Sequence, residues 1–477
     1  MRMNVTAKLA GMALAFLLAG CAVGPDYRSP EVSVPAAWHN TMKGGLKSVS
    51  PEAEQLAQWW DGLGDPHLSR LIEEAAANNL DLKLAQARLR EARARRGVSA
   101  ANRFPTLNAS AGANRSRSSE EMGLGGGKMS ETYSAQFDAS WELDVFGGKR
   151  RALEAAEASL EASREDMREV QVSLLAEAAL NYVELRSYQA RLAIAQSNLA
   201  SQTETWQISR WRHEAGLTTQ LDEDQARLNL EQTRSQIYTL QTGLEQSKNR
   251  LAVLLGRKPG ELTELETPAA IPLIPVEVAV GIPADTLRNR PDLRRAERQL
   301  AAATAQVGVA AAALYPNFSL SGTLGLQALS STNLLQSSAR MFSVAANAGW
   351  VLFDAGRIRQ NIEVQNALQE QALIRYESAV LGALRDVENA LVAYAEEQNR
   401  RVALADAVQA AQSAAGLAAS QYAAGLIDFQ AVLDTQRSLL NLQDQLSQSD
   451  AAVASNLARL YKTLGGGWTT ESPGEKS

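Results

Sequence analysis

The amino-acid sequence predicts a mainly helical protein with a smaller β part that enters a membrane. The composition is rich in alanine, glutamine, leucine and glutamate, and aromatic residues make up only 5% of the chain, which favours long helices over a thick aromatic core. The chain repeats itself once. In residues 134–162, apolar residues first occupy every second position and then, after Gly147-Gly148, every third or fourth position, which predicts a strand followed directly by a helix.

The internal repeat sets the domain organisation. Matching residues lie 211 or 209 positions apart, as in Asp81 with Asp292, Gly97 with Gly308, Trp141 with Trp350, and Gly216 with Gly425. The predicted parts are a signal peptide (1–20), a lipid-anchored N-terminal segment (21–64), repeat 1 (65–256), a proline-rich linker (257–283), repeat 2 (284–465) and a C-terminal tail (466–477).

Each repeat is predicted to contain the same elements in the same order. One helix precedes a β-hairpin, and a very long helix then turns at a glycine into a returning helix. The predicted ranges are 66–103 and 284–314 for the first helix, 105–146 and 316–353 for the hairpin, 149–213 and 357–422 for the long helix, and 219–254 and 428–464 for the returning helix. Leu153, Leu160, Met167 and Leu174 recur every seven residues, which predicts coiled-coil-like packing of the long helix.

The four predicted strands require more than one copy of the chain. They have the length of membrane barrel strands, about 9–11 residues, and carry one apolar face. Open edges leave backbone groups unpaired in lipid, so only a closed barrel is stable there. Two copies give eight strands, whose interior is filled by side chains. Three copies give a 12-stranded β-barrel with room for a channel, with all of the helices on one side of the membrane.

The N-terminus has the features of a secretory signal. Arg2 and Lys8 precede an apolar run over residues 9–19 that is too short to span a bilayer. The run ends in Leu-Ala-Gly before Cys21, which resembles a bacterial lipobox, and this resemblance implies cleavage before Cys21 and a covalent lipid on it. Ala22 at the next position implies release to the outer membrane. The alternative is an ordinary signal followed by an unmodified cysteine.

Several function classes are disfavoured. The net charge of −6 gives no basic surface for nucleic acid. The stretch GLGGGKMS (123–130) departs from a phosphate-binding loop at both Met122 and Met129. His39, His67 and His213 share no metal-ligand spacing, and we find no catalytic constellation. We therefore predict no enzyme activity, no metal and no cofactor beyond the lipid on Cys21.

Five residues are predicted to shape the membrane end of each repeat. Gly147, Gly148 and Gly356 stand between strand and long helix, where a tilted strand must bend into a helix. Trp141 and Trp350 come late in their strands and are candidates for the aromatic belt at the membrane interface. The alternative is that these tryptophans only pack within the bend.

The glycine turns at the opposite end are the candidate gate. Gly216 and Gly425 lie farthest along the helices from the strands, and Asp222, Asp224 and Asp428 stand close to them in the sequence. A ring of carboxylates from several copies would attract cations. The alternative for Asp428 is an N-cap alone, because its counterpart in the first repeat is Thr219, also a capping residue type.

Motifs along nearly the whole mature chain resemble one family. They are CAVGPDYRSP (21–30), QWWDGLGDPHLSRLIEEAAANNLDL (58–82), WELDVFGGKRR (141–151), LRNRPDLRRAERQLAAA (287–303), WVLFDAGR (350–357), YAAGLIDFQAVLDTQRSLL (422–440) and LYKTLGGGW (460–468). They resemble TolC-like outer-membrane efflux proteins, of the lipoprotein branch that serves RND-type pumps.

This resemblance implies a homotrimer in outer-membrane lipid, with a 12-stranded β-barrel and a helical α-barrel in the periplasm. It also implies two protein partners, a periplasmic adaptor (membrane fusion protein) and an inner-membrane RND-type transporter. The function it implies is a passive duct that exports small molecules such as drugs, toxic compounds or metal ions. A rod-like periplasmic scaffold and an envelope enzyme are the alternatives.

Overall fold

The computed structural model of the chain consists mainly of long helices and an antiparallel sheet. It describes residues 22–31, 33–122, 127–275 and 277–468. The strands are β1 (Leu46–Lys47), β2 (Thr106–Arg117), β3 (Met129–Leu143), β4 (Val278–Ala279), β5 (Asn317–Ala328) and β6 (Arg340–Gly349). The helices are α1 (Ala53–Ala57), α2 (Pro66–Asn78), α3 (Leu80–Ala101), α4 (Gly148–Glu214), α5 (Gln220–Leu254), α6 (Pro283–Asn289), α7 (Pro291–Ala312), α8 (Arg357–Ala423) and α9 (Phe429–Thr463).

The long and the returning helices have equal lengths in the two repeats. Helices α4 and α8 each have 67 residues, and α5 and α9 each have 35. At 1.5 Å per residue, a 67-residue helix is roughly 100 Å long. These helices begin and end within one residue of the predicted positions, and the predicted fold class is confirmed.

The prediction of one continuous first helix in repeat 1, over 66–103, was wrong. The helix breaks at Asn79, between α2 and α3. The backbone of Asn79 leaves the helical region (ψ 136°). Its side-chain oxygen accepts hydrogen bonds from the backbone N–H groups of Asp81 (2.8 Å) and Leu82 (3.1 Å), so it caps the start of α3. Its side-chain amide also donates to the carbonyl of Leu254 at the end of α5. The break therefore anchors the first helix to the returning one.

The matching helix of repeat 2 is also broken, and its predicted continuity over 284–314 was wrong as well. Pro291 disfavours helical geometry at the residue before it, and Arg290 is accordingly extended (φ −76°, ψ 118°). The Arg290 guanidinium donates to the carbonyl of Thr463 at the end of α9 (3.2 Å). Both breaks thus lie against the end of a returning helix, although different residues cause them.

The sheet has the strand order β2-β3-β5-β6, and all of its pairings are antiparallel. Strands β2 and β6 form its two edges. Two predicted strand ends were wrong: β3 ends at Leu143 rather than 146, and β6 ends at Gly349 rather than 353. Trp350 therefore lies just beyond its strand. The chain leaves the sheet early because the following residues begin to cap the long helices.

The chain divides into two compact units. The first comprises the described residues of Met1–Glu31, Arg88–Arg164 and Arg295–Glu377 and contains the four-stranded sheet. The second comprises those of Val32–Ala87, Glu165–Arg294 and Ser378–Ser477, and it contains the largest buried hydrophobic cluster. In this second unit the Trp59 ring stacks on the Tyr461 ring (centroids 5.4 Å apart), and the short strands β1 and β4 pair in parallel.

Candidate functional site

The four-stranded sheet has two chemically distinct faces. In β3, Ala135, Phe137, Ala139 and Trp141 share one face, and the register places leucines of β5 beside them. Large apolar side chains on this face are exposed to a degree that is unusual for a folded protein: Phe137 55%, Leu324 65%, Val344 75% and Phe342 81%. The face is a contiguous apolar surface that no other part of the described chain covers.

The opposite face of the sheet is polar. It carries mostly serine, threonine, asparagine and glutamine side chains, and the charged residues that the strands place on it are Asp138 and Glu142. The Asp138 carboxylate accepts hydrogen bonds from Thr323 (2.8 Å), Gln136 (3.0 Å) and Ser110 (3.2 Å). Glu142 lies 3.2 Å from the Lys149 ammonium. Alternation of residue types along each strand, as predicted, produces this separation of faces.

A glycine in the left-handed region marks each strand-to-helix bend. Gly147 has φ +81° and Gly356 has φ +87°, whereas Gly148 is the first residue of α4 and does not have a positive φ. Sequence reasoning missed the aspartates beside these glycines. The Asp144 carboxylate accepts from the backbone N–H groups of Lys149 and Arg150, both at 2.9 Å. Asp354 accepts in the same way in the second repeat. Each aspartate satisfies free donors at a helix start.

Each candidate interface tryptophan donates a hydrogen bond to the turn between its own hairpin and the helix that precedes it. The Trp141 indole N–H donates to the carbonyl of Arg103 (2.9 Å), and the Trp350 indole N–H donates to the carbonyl of Leu314 (3.0 Å). The accepting residues are themselves 211 positions apart. Both rings remain open to solvent, Trp141 by 36% and Trp350 by 60%. A ring with an exposed apolar body and a satisfied polar tip suits a membrane interface.

The N-terminal residues 22–31, here called the strap, lie along α4 and α7 in the first unit. Gly24 lies so close to Gly308 that a Cβ on Gly24 would stand 2.4 Å from the Gly308 Cα. The buried Arg151 guanidinium holds the strap by donating to the Gly24 carbonyl (3.4 Å) and to the Asp26 carboxylate (2.6 Å). The sequence motif around residue 24 gave no sign of which partner it contacts.

A second set of contacts holds the middle of the strap. The Tyr27 hydroxyl donates to the Glu297 carboxylate (2.9 Å), and the Arg298 guanidinium lies over the Tyr27 ring. Burial and the bond to Glu297 raise the pKa of Tyr27 to about 12. Burial acts to raise the pKa of Glu297, but hydrogen bonds from Tyr27 and Arg298 hold it below its usual value. The contact is therefore between a neutral phenol and an ionised carboxylate at neutral pH.

The two chain reversals between a long helix and its returning helix have the same backbone motif. Gly216 (φ +73°) and Gly425 (φ +74°) each follow a long helix, and the next residue donates back to a carbonyl in the last helical turn: Leu217 to Arg212 at 2.8 Å, and Leu426 to Gln421 at 2.9 Å. This is the Schellman arrangement, which needs a left-handed residue. Ala226 of α5, Ala418 of α8 and Phe429 of α9 share a buried cluster, so the two hairpins pack together near their turns.

The predicted gate carboxylates have different surroundings. Asp428 is exposed and caps α9, with its carboxylate accepting from the Ala431 N–H (2.9 Å). Asp222 completes a capping box with Thr219. Asp224 is exposed, and it has no hydrogen-bond or ion-pair partner among the described residues. Within one chain the three carboxylates thus do not form a joint site. Cys21, the predicted lipid anchor, lies outside the described residues.

Two other features are absent from the described residues. No cluster of three or more histidine, cysteine, aspartate or glutamate side chains with the arrangement of a metal site occurs in the described ranges. Among the same residues, no helix combines the length and the apolar character needed to cross a bilayer.

The chain matches one protein family over both repeats. The family model described as outer membrane efflux protein matches residues 71–257 and 282–466. The chain is 32% identical over 456 residues to the solvent efflux pump outer membrane protein SrpC of Pseudomonas putida, with 95% of this chain and 97% of SrpC covered. It is 32% identical over 464 residues to the pyoverdine export outer membrane protein OpmQ of Pseudomonas aeruginosa, with 96% of each covered.

Solved structures give the same result. The outer-membrane channel OprN superposes with a TM-score of 0.89 at 38% identity, with 94% of this chain and 100% of OprN covered. The open state of the Neisseria gonorrhoeae MtrE outer membrane channel superposes with a TM-score of 0.83 at 29% identity, with 94% and 99% covered. The chain therefore belongs to the outer membrane efflux protein family, and it is the outer-membrane channel component of an efflux system rather than an enzyme.

Proposed function

We propose that three copies of this chain form a passive duct, with the apolar face of each sheet toward lipid and the polar face toward a water-filled lumen. One observation carries the proposal: the sheet has an exposed apolar face, a polar face and two unpaired edge strands, β2 and β6. Pairing β6 of one copy with β2 of the next removes every edge. Twelve strands leave a channel, whereas eight would be filled by side chains.

Energy for transport comes from outside the chain in this proposal. The duct receives small molecules from an inner-membrane RND-type transporter through a periplasmic adaptor. The relatives are named for solvents and for pyoverdine, which are chemically unlike each other. Side chains on the polar face are mostly neutral hydrogen-bonding groups, which suit passage of such different compounds better than tight binding of one of them.

Cross-linking of the edge strands tests this assembly. One cysteine replaces Val344 in β6, and a second replaces, in successive variants, each lipid-facing residue of β2 from Leu107 to Ala113. Disulfides between copies are expected to give a covalent trimer. Within one sheet the same two strands are three spacings apart, about 14 Å, which is too far for a disulfide. Each single-cysteine variant is the control. Covalent dimers without trimers would contradict the twelve-stranded barrel.

The lipid anchor at Cys21 is part of the proposed function. Its support is the position of the residues that follow it. Val23 donates to the Phe146 carbonyl (3.1 Å), and a Cβ on Gly147 would lie 2.7 Å from Ala22. The strap thus begins at a strand-to-helix bend, next to the end of the apolar face that carries Trp141. Acyl chains on Cys21 would enter the membrane at that level, and Trp141 and Trp350 would form the aromatic belt there.

Replacing Cys21 by serine is expected to abolish acylation without releasing the protein from the membrane. One or a few acyl chains and the apolar sheet are separate anchors. Behind its own residues 1–20, the variant is expected to lose labelling by a radioactive or clickable fatty acid. Behind a standard secretion signal in place of residues 1–20, it is expected to remain in the outer-membrane fraction. The matched control, Ala22→Ser, keeps the label. Soluble Cys21→Ser protein in the periplasm would show that the sheet does not insert.

We also propose that the turns at Gly216 and Gly425 narrow the duct, with Asp222, Asp224 and Asp428 near the narrowest point. Three copies of each carboxylate around one axis repel one another and attract cations. Glu214 is neutralised by Arg210 (3.0 Å), and Arg212 lies over the Tyr422 ring, so neither basic side chain is paired with these aspartates in one chain.

Asp428→Asn separates the gate role from the capping role. Asparagine caps a helix about as well as aspartate, so trimer stability is expected to be unchanged. Removal of three negative charges is expected to reduce cation selectivity and block by divalent cations in single-channel recordings. The control is Asp450→Asn, a carboxylate of α9 that pairs with Arg401 far from the turn. If selectivity and block match those of the unmodified channel, Asp428 is a cap only.

A further inference from the structure

The basic residues of the sheet are not scattered. The lysines and arginines of its four strands are Arg115 and Arg117 in β2 and Arg340 in β6. The register places Arg115 and Arg117 on the same face as Ala109 and Ala111, and period-2 alternation places Arg340 on the face of Phe342. All three arginines therefore extend from the apolar face, at the end remote from the strand-to-helix bends.

The distance between these arginines and the two tryptophans matches the height of the apolar band of a membrane barrel. Arg340 lies ten residues before Trp350, and Glu131, the β3 residue that pairs with Arg115, lies ten residues before Trp141. Ten residues span roughly 33 Å along a strand, and a tilt of about 40° reduces this to about 25 Å, the height of the apolar band of a membrane barrel. With the tryptophans at one boundary, the arginines lie toward the other, Arg340 in register with Leu326 of the neighbouring strand.

The three guanidinium groups differ in their partners. Arg115 pairs with Glu131 (3.1 Å), and Arg117 pairs with Glu120 (2.9 Å). Arg340 is exposed and has no hydrogen-bond or ion-pair partner in the described part of the chain. A guanidinium binds phosphate through two parallel N–H···O bonds, and this geometry is stronger than that of a single ammonium contact. Arg340 is thus the one guanidinium of this set that is available to an external anion.

A groove on the apolar face leads to Arg340. Its volume is about 570 Å³, and it crosses the sheet from the alanines of β2 and β3 to the leucines of β5. The apolar side chains that line it include Ala109, Ala111, Ala135, Phe137, Leu324 and Leu326, and Arg340 lies at its end on the edge strand β6. An apolar channel that ends at an unpaired cation matches a ligand with a hydrocarbon chain and an anionic head.

We propose that this groove binds a phosphorylated lipid of the outer leaflet, with an acyl chain along its apolar lining and its phosphate on Arg340. The inference rests on the proposed function, because the face contacts lipid only when the strands close a barrel. In that barrel β2 of the next copy lies beside β6, so Arg115 and Arg117 of the next copy approach Arg340 on the same face. The site then repeats three times around the barrel, once at each Arg340.

Native mass spectrometry of the purified detergent-solubilised protein tests this site. The probes are dimyristoyl phosphatidic acid, phosphatidylcholine with the same chains, and inorganic phosphate. We expect up to three phosphatidic acid molecules per trimer, with about tenfold or greater preference over phosphatidylcholine, because the choline ammonium cancels the charge of its phosphate, and no retention of inorganic phosphate. Retention of inorganic phosphate to the same extent would overturn a lipid site in favour of a simple anion site.

Two variants and a control complete the test. Arg340→Gln is expected to reduce phosphatidic acid binding about tenfold or more, and Ala111→Phe, which fills the groove and keeps every arginine, is expected to reduce it as well. Met341→Gln, at the next position on the opposite face, is expected to bind as the unmodified protein does. Trimer mass and channel conductance are recorded on the same preparations. A conducting trimer whose lipid binding is unchanged by Arg340→Gln would overturn the lipid site alone, whereas a protein that forms no trimer would overturn the proposed function and this inference together.

Discussion

Replacing Ala135 by arginine is expected to prevent accumulation of the assembled protein in the outer membrane. Ala135 lies near the middle of the apolar face, six residues from Trp141, between Ala111 and Leu326 in the register. An arginine on the lipid face at mid-depth costs roughly 2–4 kcal/mol per chain, so a trimer incurs roughly 6–12 kcal/mol. That is comparable to the whole stability of an ordinary domain, about 5–15 kcal/mol.

The neighbouring residue supplies the control. Ser134 faces the opposite side of the sheet, between Gly112 and Gln327. Ser134→Arg adds the same side chain to the proposed water-filled lumen, where it remains hydrated, so we expect normal trimer yield and a changed conductance. Trimer recovered from outer-membrane fractions and single-channel conductance are the measurements. Equal yields of the two variants would show that the assignment of the faces is wrong.

Gly308→Ala is expected to release the strap from the first unit. A Cβ at this position would lie 2.8 Å from the Cγ atom of Arg151, the buried side chain that holds the strap, and Gly24 packs directly on the same backbone. Overpacking of this kind costs typically 1–3 kcal/mol. The gain from alanine over glycine in a helix, roughly 1 kcal/mol, does not offset both the crowding of Arg151 and the lost approach of Gly24.

The repeat provides a matched control for this change. Gly97 is the counterpart of Gly308 in the first repeat, and a Cβ there would contact nothing within 4 Å. Gly97→Ala is therefore expected to leave the strap in place and to raise helix stability slightly. Limited proteolysis near Tyr27 and Arg28, followed by mass spectrometry, reports strap release, and thermal unfolding reports stability. Equal protease sensitivity of the two variants would contradict the packing described for Gly24 and Gly308.

Local patterns predicted the elements and the faces of the sheet well. The alternation around Phe137 and the glycine at 147 are properties of adjacent residues, and so is the Schellman turn at Gly425. The helix breaks were missed although each has a local component: Pro291 disfavours helical geometry at Arg290, and Asn79 caps the start of α3. The contact of Asn79 with Leu254, 175 residues away in sequence, has no local sign. Periodicity continues through such a position, so the pattern alone indicated a single helix.

Long-range contacts account for the other omissions. The strap depends on Gly24 meeting Gly308, and a close backbone approach leaves only a glycine in the sequence as its sign. The heptad pattern identified Leu153 and Leu160 as packing residues of α4, and both are half-buried. It did not identify the alanines that α4 buries more completely in the first unit, which include Ala155, Ala158 and Ala162. Small side chains let neighbouring helices approach closely, and a pattern of large apolar residues does not show this.

The matched helix lengths of the two repeats restrict which insertions and deletions the helices can accept. Seven residues inserted into one long helix would carry its turn about 10 Å further along the helix axis. The buried cluster that joins Ala226, Ala418 and Phe429 would then be separated, because the other hairpin keeps its length. A viable insertion or deletion must occur in the outgoing and returning helices of both repeats together, which is four coordinated genetic events. We therefore expect hairpin length to be nearly fixed during evolution, while the residues that connect the strands at 118–128 and 329–339 accept length changes one at a time.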